Sequence, residues 1–103
     1  MWNLDLPKTK TQKKIDRNIR LALTKACEQF LQDITGFQWL THQANYDNFP
    51  DSLLITCVFD TDENRQSGDS SGMRKLIQAK LMSIGMELKS VKLQIVFDSE
   101  ERR

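Results

Sequence analysis

From Thr11 to Ile34 the apolar residues Ile15, Ile19, Ala22, Leu23, Ala26, Cys27, Phe30, Leu31 and Ile34 recur at steps of three and four. That period is the turn of an α-helix, and it lays one apolar stripe along roughly 20 residues. A stripe of that length must be buried, so the rest of the chain has to supply a second layer. The opposite side carries Lys14, Arg17, Asn18, Lys25, Glu28 and Gln32. Thr9 or Thr11 is placed to cap the start, and Gly36 follows the end, where a left-handed residue closes a helix.

Beyond Gly36 the chain reads as strands and one further helix. Phe37–Tyr46 is aromatic-rich and alternates, with Phe37, Trp39 and Thr41 against Gln38 and His42, which predicts a strand with Trp39 in the core. Asp47–Asp51 contains Pro50 and predicts a turn that exposes Phe49. Ser52–Asp60 predicts a second strand, with Leu53, Ile55, Cys57 and Phe59 on one face and Leu54, Thr56 and Val58 on the other. Apolar residues on both faces predict an interior strand or one with a covered outer face. Thr61–Ser71 holds no apolar residue and predicts a flexible loop. Ser70 or Ser71 then caps a second helix with the stripe Met73, Leu76, Ile77, Leu81 and Ile84, ended by Gly85. Val91–Phe97 predicts a third strand, with Val91, Leu93, Ile95 and Phe97 inward and Lys92 and Gln94 outward.

The order α-β-β-α-β predicts an α+β two-layer sandwich. Its three-stranded mixed sheet combines an antiparallel hairpin with a third strand returned parallel to the second by a right-handed crossover, and both helices lie on one face. A chain of 103 residues has room for one domain. Within it, residues 1–10 read as an N-terminal arm, 61–71 as the loop and 98–103 as a charged tail.

The fractions of hydrophobic (39%) and charged (28%) residues are those of an ordered globular chain. Cys27 and Cys57 sit inside apolar patterns, with no CxxC and no Cys/His cluster, so they read as buried thiols of a reducing compartment and not as a zinc site. The polar start lacks a signal-peptide core, and nothing approaches the apolar run of about 18 residues that a membrane span needs. Together these predict a cytoplasmic protein without a membrane partner.

Little in the sequence points to catalysis. His42 is the sole histidine, with no serine, cysteine or carboxylate at a spacing that would make a triad. Asp60-Thr61-Asp62-Glu63-Asn64 starts like a calcium loop, yet the sixth position is Arg65 in place of glycine and the twelfth is Ser71 in place of glutamate. Ser67–Gly72 lacks the Gly-Lys-Ser/Thr ending of a phosphate loop, since Met73, Arg74 and Lys75 come next. The expectation is a non-enzymatic domain with no cofactor.

Charge is unevenly distributed along the chain. Residues 1–25 hold seven bases against two acids, residues 26–73 one base against eight acids, and residues 74–103 seven bases against four acids. Lys10, Lys13, Lys14, Arg17 and Lys25, on or near the polar side of the first helix, form a candidate nucleic-acid-binding set together with Arg74 and Lys75 of the second. Cations on one surface can track a phosphate backbone. A protein-interaction or dimerisation module, using the sheet face or an edge strand, is the alternative class.

The runs Lys14-Ile15-Asp16, Gly36-Phe37-Gln38-Trp39-Leu40-Thr41-His42, Asn48-Phe49-Pro50-Asp51-Ser52-Leu53 and Cys57-Val58-Phe59-Asp60 resemble a small bacterial family often labelled "Fis family transcriptional regulator". That label implies a helix-turn-helix, with Ala79–Gly85 as first helix and turn and Glu87–Phe97 as the DNA-reading helix. The element order, with the ending Leu93–Ser99, resembles instead the KH-like fold of ribosome-binding factor A and, less closely, BolA proteins. Its implication is RNA or DNA contact. The KH motif GxxG between two helices is absent; Gly68 and Gly72 with Asp69 between them depart from it.

Overall fold

The structure is a computed structural model and describes residues 10–45, 49, 51–69 and 72–103. Its elements are α1 (Lys10–Asp33), β1 (Phe37–Gln43), β2 (Leu54–Phe59), α2 (Asp62–Asp69), α3 (Met73–Met82), α4 (Val91–Gln94) and β3 (Ile95–Ser99), closed by a 3-10 turn over Glu100–Arg102. The expected α+β architecture is present. β2 lies at the centre of the sheet, antiparallel to β1 and parallel to β3.

α1 buries Ile19, Ala22, Leu23, Ala26 and Phe30, the stripe read from its period. Each large side chain so buried contributes roughly 1.5–3 kcal/mol, which is why the helix is held by packing and not by propensity. Gly36 follows with φ +81° and turns the chain into β1. Thr11 lies inside the helix rather than capping it, and Thr9 lies outside the described residues.

A row of rings ties the layers together. Phe30 of α1 meets Phe37 of β1 edge-on at 5.5 Å, Phe37 meets Phe59 of β2 at 5.9 Å, and Phe59 meets Phe97 of β3 at 6.0 Å. Such pairs add about 0.5–1.5 kcal/mol each beyond area burial. Ile55, Cys57 and Phe59 turn this way, and Val58, on the other face of β2, is also fully buried. In the ladder Val58 stands between Trp39 and Asp98. Arg103 lies 5.9 Å over the Trp39 ring and 3.9 Å from the Asp98 carboxylate, above that row.

Several expectations need correction. A register irregularity between Phe37 and Trp39 breaks the alternation of β1, so Trp39 leaves the core and is 38% exposed, while Leu40 packs against the core. Phe49 is partly buried against the core, not exposed. The rest of the expected 47–51 turn, apart from Asp51, and the Ser70 and Ser71 caps lie outside the described residues; α3 starts from Gly72, at φ +87°.

The loop expected over Thr61–Ser71 contains α2. Thr61 Oγ1 accepts from the Asn64 backbone N–H at 3.1 Å, Arg65 Nε donates to Asp62 Oδ1 at 2.7 Å, and Asp62 and Glu63 sit where the helix dipole favours acids. Its apolar anchor is the absence of a side chain. A Cβ on Gly68 would collide with the Phe59 ring, so the helix backbone itself lies against that ring. The charged tail is also integral: Glu101 Oε1 accepts from the Asp62 N–H at 2.6 Å, at the start of α2.

The third strand begins four residues late. Val91–Gln94 forms one helical turn, with Ser90 O accepting from the N–H groups of Leu93 and Gln94. Gln94 turns inward and is 6% exposed, its Nε2 donating to Leu53 O at 3.0 Å and its Oε1 accepting from the Ser90 N–H at 2.9 Å. Leu93 is left 75% exposed. A four-residue turn followed by a strand is also not the reading helix expected over Glu87–Phe97.

Gly68→Ala should destabilise the protein by about 1–2 kcal/mol in urea unfolding, despite alanine's better helix propensity, because overpacking against a core ring outweighs that gain. A neutral or stabilising result would mean that α2 does not rest on Phe59.

Candidate nucleic-acid interface

α1 presents Lys10, Lys13, Lys14, Arg17 and Lys25 to solvent, and Arg20, with its side chain 67% exposed, joins them. The acid in this stretch is treated differently. Asp16 is buried between α1 and β1, its Oδ2 2.9 Å from Arg20 Nε and its Oδ1 3.2 Å from His42 Nε2. A carboxylate can only accept, so the ring proton of His42 stands on Nε2. Burying a carboxylate is costly unless it is paired, and here a guanidinium and an imidazole share it. The consequence is electrostatic. Between Lys10 and Cys27 every exposed formal charge on α1 is positive. The elements beside it, β1 and α3, contain no acid.

The two remaining residues of the set are elsewhere. Gln29, Phe30, Asp33 and Ile34 line a cavity of about 220 Å³ with Gly72, Met73 and Leu76, so α3 starts beside the end of α1. Arg74 and Lys75 therefore belong to the end opposite Lys10–Arg17, at about 1.5 Å of rise per residue along a 24-residue helix. Lys75 is exposed. Arg74 is half-buried and engaged: its Nε donates to Ile95 O at 3.0 Å and its guanidinium lies 4.6 Å over the Phe97 ring. It serves to bind α3 to β3. Arg20, absent from the sequence-based set, is brought to the basic face by its i,i+4 relation to Asp16.

A groove of about 290 Å³ runs between α1 and β1, lined by Arg20, Leu23, Thr24, Cys27, Glu28, Leu40 and His42. Burial pushes the Cys27 thiol above its ordinary pKa; the Leu40 backbone hydrogen bond opposes this and Glu28 adds to it. Burial pushes Cys57 up to about 12, with Arg74 opposing. Both thiols are thus protonated at neutral pH, and His42 is turned to Asp16. The groove does not present a thiolate-imidazole pair.

Among the described residues no group of three His, Cys, Asp or Glu side chains is placed to hold a metal ion, and no helix is long and apolar enough to cross a membrane. Searches of family models, curated proteins and solved structures return no match to this chain.

At pH 8 a disulfide thiol reagent should modify Cys27 slowly and Cys57 only after denaturant, since a thiol at about 12 is ionised to roughly one part in ten thousand there. Rapid native reaction at Cys57 would contradict its full burial in the central strand β2.

Proposed function

We propose that the protein binds nucleic-acid duplex through phosphate contacts made by the solvent face of α1. The observation that carries this reading is the unopposed charge of that face. Lys10, Lys13, Lys14, Arg17, Arg20 and Lys25 are exposed, the one acid among them is buried and paired, and the flanking elements bring no acid. Lys10, Lys14 and Arg17 succeed one another at steps of four and three, so they follow one line about 10 Å long on the helix. A duplex offers one negative charge per about 1.7 Å of axis, and cations in a line release its counterions.

The favoured contact is with the backbone and not with bases. No described aromatic residue lies on this face of α1, so a stacking platform for single strands is missing there. Side chains that meet only phosphates fix position without reading sequence. Affinity in the range of about 10⁻⁴–10⁻⁶ M at physiological salt is what such contacts supply.

Anisotropy titration of a mixed-sequence duplex across roughly 50–200 mM salt tests this, with log affinity falling by about 0.9 per phosphate contact for each unit of log salt. Lys14→Glu with Arg17→Glu should lower affinity at least about tenfold and flatten the salt slope by roughly 2, whereas Lys75→Glu with Lys92→Glu should change it little. Equal losses from the two pairs, or no binding at low salt, would remove α1 as the interface.

A further inference from the structure

β1 is an edge strand: β2 pairs with one side of it, and no described residue pairs with the other. Edges that must stay single carry lysine, proline or an inward charge, or are very short. Phe37–Gln43 (FQWLTHQ) is seven residues long and contains no Lys, Arg, Asp, Glu or Pro. Its irregularity lies at one end, between Phe37 and Trp39, and leaves Trp39–Gln43 in continuous register. Along this strand runs the groove of about 290 Å³, with Leu23, Cys27 and Leu40 among its lining.

We infer that a second copy of the chain occupies this edge. β1 pairs antiparallel with β1 of the partner across a two-fold axis, the two sheets become one of six strands, and α1 packs antiparallel against α1 of the partner.

Charge complementarity selects a second copy over a foreign strand. β1 has no fixed charge, so it meets itself without like-charge opposition. On α1, Arg20 and Glu28 stand four residues to either side of Thr24, and all three line the groove. A two-fold axis passing Thr24 sets Arg20 against Glu28 of the partner subunit, and Glu28 against Arg20 of the partner subunit. A surface that satisfies itself in this way is what an isologous contact requires. Leu40 lines the groove with Thr24 and is the middle residue of β1, so one axis can serve both the helix pair and the strand pair. Trp39, half-exposed on the outer sheet face, gains a cross-strand neighbour at the same time.

Sedimentation equilibrium in nucleic-acid-free buffer, from about 1 μM to about 1 mM, reads the association directly, and amide exchange at both ends of that range locates it. The expected result is a dimer at high concentration, with Trp39–Gln43 amides protected there and exposed on dilution. Glu28→Arg places two guanidinium pairs in opposition and should raise the dimer Kd at least about tenfold without lowering the monomer's melting temperature. Lys75→Glu should leave it unchanged. A monomer throughout the range overturns the inference, as does a dimer that Glu28→Arg leaves intact or that protects another surface.

Discussion

A strand has to be covered from two directions wherever it is dry on both faces, and β2 is so at its Cys57–Phe59 end, while Leu54 and Thr56 are only half-buried. Ile55, Cys57 and Phe59 point into the helix layer and Val58 points away, all without exposure. The inner cover is hydrophobic and extensive: α1 with its apolar stripe, α3 through Met73, Ile77 and Leu81, and α2 through the bare backbone of Gly68. The outer cover over Val58 is narrow and amphipathic, where the Trp39 ring and the Asp98–Arg103 pair bracket one side chain. The two edges follow from this arrangement. At β3 the Ile95 carbonyl is engaged by Arg74, whereas β1 keeps a long uncharged margin.

The same centre explains the charge on α1. To lie on the sheet beside β1, the helix must turn one of its polar positions inward, and the residue there is Asp16. Its carboxylate meets His42 from β1 and Arg20 from the next turn of its own helix. A buried paired carboxylate contributes little net stability, because desolvation offsets most of its attraction. Its larger effect is on the surface, since the acid that would have neutralised Lys13 and Arg17 is withdrawn from them. Fold and surface charge are therefore linked through one side chain.

How much of this was legible depended on whether apolar period carried the signal. α1, α3 and the two-faced apolar pattern of β2 were visible because hydrophobic burial specifies them, and Gly36 and Gly85 mark chain reversals with φ of +81° at both. α2 was hidden because its stabilising parts are polar caps and a missing side chain, and neither leaves an apolar period. The start of β3 was misread for the reverse reason: Val91 and Leu93 continue the alternation, but the amide of Gln94 finds buried partners at Leu53 and Ser90 and closes a helical turn instead. A buried polar group that is fully bonded outweighs a mere apolar alternation. For the basic set, composition identified the five cations of α1. It could not show that Arg74 is engaged at β3, nor that Asp16 and His42, 26 residues apart, meet.

The two surfaces proposed for α1 are compatible with each other. With the proposed axis at Thr24, Arg20 faces Glu28 of the partner subunit, and Lys25 leaves the middle of the helix pair weakly positive. Lys10, Lys13, Lys14 and Arg17 stay exposed at the far ends. Lys14 is ten residues from the axis, and at 1.5 Å per residue it lies about 30 Å along the helix direction from Lys14 of the partner subunit. One turn of duplex repeats every ~34–36 Å, so both cationic ends can meet phosphates of the same duplex face about one turn apart. Linking two weak, sequence-independent contacts in this way raises avidity without any new contact, because the second binding event becomes intramolecular. A short basic segment is a weak ligand for a polyanion by itself. Paired as proposed through the β1 edge, which no described residue covers, it would meet the polyanion at two points.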